Sequence, residues 1–116
     1  MFLKSIFQSK EQLFKNVTPA ELKERLDNGE PLYLIDVRTP NEYSTGHIAG
    51  TRLLPLQTLQ QRINEIPRDA AVVCICRSGG RSATASELLA NAGFQDVTNM
   101  SGGMMAWTHA NLPIKL

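Results

Sequence analysis

Apolar and polar positions along this chain follow two rhythms. Leu32-Tyr33-Leu34-Ile35-Asp36-Val37 and Ala71-Val72-Val73-Cys74-Ile75-Cys76 are nearly continuous apolar runs, the pattern of strands covered on both faces. Elsewhere the period lengthens. Leu22 and Leu26, then Leu56, Leu59, Ile63 and Ile66, then Ala85, Leu88, Leu89 and Ala92 recur at helical spacing and predict three helices.

Punctuation sets the ends. Thr18-Pro19-Ala20-Glu21 and Thr39-Pro40-Asn41-Glu42 each combine a capping threonine, a proline suited to the first turn and a glutamate able to close a capping box. Helices start at both, the second one short and carrying Tyr43, and Val17 with Leu22 forms a hydrophobic staple at the first. Asn28-Gly29, Pro67 and Gly93 are stops. Short strands are expected at Leu13 to Val17, Arg52-Leu53-Leu54 and Asp96-Val97-Thr98-Asn99. Gly46-His47-Ile48-Ala49-Gly50 reads as a tight connection, Ser101-Gly102-Gly103 as the lead into a last short helix bearing Trp107, and the helix after the central strand is expected from about Ser82. Phe2, Leu3, Ile6 and Phe7 share one side of a helical wheel. They predict an N-terminal helical extension over residues 1–15, packed on the domain or on a second copy, ahead of a domain over 16–116.

Strands alternating with helices make an α/β fold, a mainly parallel sheet with helices on both faces. Ligands of such sheets collect beyond the carboxyl ends of the strands, and Cys76 stands at that end of its strand. Composition narrows the function. At 116 residues the chain fits one domain with a real core. Twelve basic against eleven acidic residues give a net charge of +1, which offers no global field for nucleic acid or a membrane surface. No apolar stretch is long enough to span a bilayer or to act as a secretory core. Two cysteines two positions apart are no disulfide framework, so a cytoplasmic, reducing setting is expected.

The chemistry concentrates in Val72 to Ser82. A cysteine closing an apolar strand, a loop with two glycines and two arginines, and a helix start supply a sulfur, an anion-binding turn and a positive helix end in one place. A free thiol ionises near pH ~8.5, and two or three amide hydrogen bonds of roughly 1.5 to 3 kcal/mol each, with a helix N-terminus, suffice to make it a thiolate at neutral pH. Gly79 and Gly80 let the backbone turn its N–H groups inward, and Arg77 and Arg81 add positive charge. A merely structural cysteine has no need of the Arg-Ser-Gly-Gly-Arg that follows Cys76. Cys74, inside the apolar strand, reads as packing.

Cys76-Arg77-Ser78-Gly79-Gly80-Arg81-Ser82, with Ile35-Asp36-Val37-Arg38, Glu42, Gly46-His47-Ile48 and Gly102-Gly103 before Trp107, resembles the single-domain rhodaneses, a family of sulfurtransferases, over about residues 16 to 113. The resemblance implies a rhodanese-like fold, a central five-stranded parallel sheet with helices on both faces. It implies that Cys76 is the nucleophile, taking a sulfane sulfur from thiosulfate or a persulfide and passing it to cyanide or a thiol. Arg77, Ser78, Gly79, Gly80 and Arg81 would bind the substrate, Arg77 greeting an anionic donor and Arg81 bracing the loop against Asp36. No metal and no cofactor is called for. The partners implied are a small-molecule sulfur donor, a cyanide or thiol acceptor, and a sulfur-accepting protein. The chain departs from the family at Thr51-Arg52, where alanine and a small or polar residue are usual; Arg52 is expected to face solvent.

Other readings carry less. Four residues separate Cys76 from Arg81, a smaller ring than a phosphatase-like loop of five would make, and it suits one extra sulfur better than a tetrahedral oxyanion. A non-catalytic partner-binding domain has no reason to keep the cysteine and its cradle. A redox switch between Cys74 and Cys76 would need an internal disulfide. His47 and His109 with the two cysteines lack zinc spacing, and His47 reads as a hydrogen-bonding turn residue. Asp36 and Glu42 are not required as an acid and base, because sulfur transfer from a persulfide moves few protons. No phosphate-binding loop or dinucleotide fingerprint is present.

Overall fold

The computed structural model describes residues 13–116; the helix expected around Phe2 to Phe7 lies outside them. Five strands, β1 (Lys15–Val17), β2 (Leu32–Asp36), β3 (Arg52–Leu53), β4 (Ala71–Ile75) and β5 (Asp96–Met100), form one sheet. Its order is β1-β5-β4-β2-β3 and every pairing is parallel, as the apolar runs foretell for β2 and β4. The helices are α1 (Pro19–Asp27), α2 (Pro40–Ser44), α3 (Leu56–Leu59), α4 (Gly80–Asn91) and α5 (Gly103–His109). Both predicted capping boxes are formed: Thr18 accepts from the Glu21 amide and Thr39 from that of Glu42, each glutamate returning to its threonine N–H.

The segment expected to be one helix from Leu56 to Ile66 tightens into a 3₁₀ turn over Gln60–Glu65. At three residues per turn, Ile63 and Ile66 fall on one side, and both join the apolar cluster that holds Leu59. The helix after β4 begins earlier than expected, at Gly80, because Gly79 is its cap.

Alternation along the strands divides the core in two. Val72, Cys74 and Cys76 face one side, packing with Ala85 and Leu89 of α4 and with Leu59. Val73 and Ile75 face the other, with Leu22 of α1 and Met104 and Trp107 of α5. Val17 and Leu22, the expected staple, share that second cluster. β2 and β4 are neighbours, yet the chain leaves β2 toward β3 on one side and leaves β4 toward β5 on the other. Their carboxyl ends therefore flank a topological switch point, where open α/β sheets form a crevice.

Candidate active site

The loop between β4 and α4 stands at that crevice. Cys76 follows the last residue of β4 and is 1% exposed, while Arg77, Ser78 and Gly80 around it are exposed. The sulfur is the floor of the loop and the backbone is its rim. Gly79 has φ +105°, a left-handed value that costs a side-chain-bearing residue strain, and in this conformation its N–H donates to Cys76 Sγ at 3.0 Å.

Two carbonyls that would otherwise oppose a negative sulfur are tied away from it. Met104 N–H donates to the Cys76 carbonyl at 2.8 Å and Met105 N–H to that of Arg77 at 2.9 Å. The first N–H groups of α5, which lack partners within their own helix, are thus capped by the loop. The close approach depends on Gly103: a Cβ there would lie 2.5 Å from the Arg77 carbonyl and from the Cys76 oxygen.

Burial pushes the Cys76 thiol up, but the Ser82 hydroxyl and the amides of Ser82, Gly79 and Ser78 outweigh it, and the net shift is downward. Hydrogen bonds to the charged form are what such a shift requires, and the N-terminus of α4 adds its dipole. Ser82 is fully buried and its hydroxyl also lies 3.2 Å from the Gly79 carbonyl. Cys74, buried beneath on the same strand face, is the opposite case: burial pushes its thiol up to about 12, and it stays protonated near neutrality.

The expected brace between Arg81 and Asp36 is replaced by two separate pairs. Arg81 Nη1 and Nη2 each donate at 2.8 Å to the two oxygens of Glu42, a bidentate bond from the first turn of α4 to α2. This guanidinium holds the Glu42 carboxyl down at about 2. Asp36, fully buried, is taken by Arg38, whose Nε and Nη2 reach it at 2.9 and 2.7 Å. Arg38, two residues beyond Asp36, occupies both of its carboxylate oxygens. Its Nη2 also donates to the Gly46 carbonyl at 2.8 Å, tying the end of β2 to the turn after α2.

Of the residues singled out from sequence, Gly79 donates to the Cys76 sulfur, Arg77 and Ser78 stand exposed on the rim and Arg81 turns to α2. Glu42, Ser82 and Gly103 complete the arrangement. The signal for Glu42 was its capping box, which accounts for Oε1 but not for the lone pairs that receive Arg81. Ser82 was visible only as the end of the motif. His47 lies in its turn as expected, Nδ1 2.9 Å from the Tyr43 carbonyl and its ring stacked 3.7 Å from that of Tyr43. Arg52 is exposed, its guanidinium 5.6 Å from the Tyr33 ring centre.

Residues 18–110 match the family described as rhodanese-like domain. A sulfurtransferase of Allochromatium vinosum is 38% identical over 102 residues, which cover 88% of this chain and 95% of that protein. The thiosulfate sulfurtransferase GlpE of Pseudoalteromonas translucida is 35% identical over 84% of this chain and 91% of its own length. Longer relatives contain the matched stretch as 25% of their length. Among solved structures, a rhodanese-related protein from Thermoplasma volcanium superposes with a TM-score of 0.82 at 29% identity, covering 89% of this chain and 99% of its own.

Proposed function

This chain belongs to the rhodanese-like domain family, and we propose that within it the protein is a sulfurtransferase that carries a single sulfur atom on Cys76. The observation that supports this most is the Gly79 N–H aimed at the sulfur at 3.0 Å within a loop whose first two carbonyls are held outward by α5. Such a ring favours a thiolate and, after loading, the terminal sulfur of a persulfide.

With thiosulfate as donor, the Cys76 thiolate attacks the outer, sulfane sulfur. A new sulfur–sulfur bond forms at Cys76, the bond to the sulfonate sulfur breaks, and sulfite departs with that electron pair. Cyanide or a thiolate then attacks the outer sulfur of the persulfide, and the bonding pair returns to Cys76 as thiolate. No proton transfer is needed in the first step, which fits a site where the carboxylates of Asp36 and Glu42 are engaged by arginines. Arg77, exposed on the rim, meets the dianionic donor, and the amides of Ser78 and Gly79 with the Ser82 hydroxyl hold the sulfur. Arg81 acts at one remove, fixing the loop end through Glu42. The work of the protein is desolvation and preorganised hydrogen bonding at one atom.

Incubation with thiosulfate is expected to add one sulfur atom to Cys76, located by peptide mass spectrometry, and addition of cyanide to release thiocyanate. Cys76→Ser should lose both signals. Thiocyanate formation at the same rate in Cys76→Ser and wild type would refute the assignment.

A further inference from the structure

Beside the loop lies a cleft of about 200 Å³ lined by Arg38, Arg77, Met104, Met105, Thr108 and Ile114. It borders the loop through Arg77, the residue after Cys76, and through Met104 and Met105, whose N–H groups hold the Cys76 and Arg77 carbonyls. Its charges resolve simply. Arg38 is paired with Asp36 and the neighbouring Glu42 with Arg81. Arg77 has no carboxylate partner among the described residues. The cleft therefore presents one unneutralised cation above an apolar floor. Of the large apolar side chains that stand exposed among the described residues, two belong to this floor, Met105 at 52% and Ile114 at 46%. Thiosulfate or cyanide has no use for them. A flexible methionine and an isoleucine beside a lone arginine suit a segment with an apolar side chain next to an acidic one.

We propose that this cleft docks the acceptor of the sulfur, a protein thiol carried on an extended segment whose apolar side chain seats on Met105 and Ile114 and whose carboxylate pairs with Arg77. The proposal rests on Cys76 being a sulfur carrier. In the transfer the docked thiolate attacks the outer sulfur of the Cys76 persulfide. One sulfur–sulfur bond forms as the other breaks, the electron pair returns to Cys76, and the acceptor leaves as a persulfide with no net oxidation.

The test loads the protein from thiosulfate and compares two acetylated peptide acceptors, Cys-Gly-Leu-Glu and Cys-Gly-Ser-Gln, with cyanide as a third. The first peptide should show a kcat/KM about tenfold above the second, a preference that shrinks as salt is raised. Ile114→Asp should abolish the preference and leave turnover with cyanide unchanged. Met105→Gln, which alters only an exposed side chain, should lower the preference and guards against a folding defect in the first variant. Equal rates for the two peptides, or a preference that survives Ile114→Asp, with cyanide turnover intact, would overturn the docking proposal alone. A dimer of the wild type that Ile114→Asp dissociates would assign the face to a second copy and overturn it also. Failure of Cys76 to acquire sulfur would instead overturn the parent reading, and this one with it.

Discussion

At the scale of single residues, a buried hydroxyl matters most. Ser82 Oγ donates to the Gly79 carbonyl at 3.2 Å, and Ser82 is among the groups that lower the Cys76 thiol. Ser82→Ala removes one of the groups that lower the Cys76 thiol. The acid limb of kcat/KM with thiosulfate should move to higher pH, with activity at neutral pH down about tenfold, the worth of one charge-assisted hydrogen bond. At pH values where both proteins are fully ionised the difference should narrow. A pH–rate series on the two proteins measures both. Cys76 and Gly79 were legible in the sequence because their demands are local: a cysteine at a strand end, and a glycine where the chain must turn left-handed. Ser82 was not, since its role depends on the side of the first turn of α4 that meets the sulfur. Arg81 was assigned the wrong carboxylate for a related reason. Sequence places Asp36 and Glu42 in the same neighbourhood but does not show that Arg38 folds back onto Asp36.

At the scale of elements, helix starts were readable and helix ends less so. A capping box is completed within four residues and needs nothing from the rest of the fold. The change from α3 to the 3₁₀ turn at Gln60 depends instead on where the core lies, and the three-residue step from Ile63 to Ile66 suits either geometry. The join between α2 and α4 is pH-sensitive. Because the Glu42 carboxyl is held at about 2, below its ordinary value of 4.5, its contribution to stability is present above pH 4.5 and fades as the pH falls through 2. Glu42→Gln should therefore cost about 1 kcal/mol near neutrality. The gap between variant and wild type in denaturant titrations should close between those two pH values. The join between α5 and the loop is steric. Gly103→Ala places a methyl 2.5 Å from two backbone carbonyl groups at a position with φ +59°. It should destabilise the fold by about 2 to 4 kcal/mol and raise the reactivity threshold of Cys76, read as a lower melting temperature and slower thiol alkylation at neutral pH.

At the scale of the whole molecule, the apolar runs announced a parallel sheet but not its order. β1 pairs with β5, whose Asn99 lies 83 residues beyond its own Asn16, and no local pattern carries that information. The sheet's order is what makes the crevice, and the Asp36–Arg38 pair secures its β2 side to the turn after α2. Both residues are buried, Asp36 at 0% and Arg38 at 5% exposure. Arg38→Ala leaves a carboxylate inside the fold without its partner and should cost about 3 to 5 kcal/mol, measurable by urea unfolding; the loss should be larger than that of Glu42→Gln. The tie between the loop and α5 also makes the loop a long-range property of the chain. The Cys76 and Arg77 carbonyls find their donors in Met104 and Met105, near in space and far along the sequence. A change that loosens α5 should therefore be felt at the loop, even where it touches no residue of the Cys76 motif.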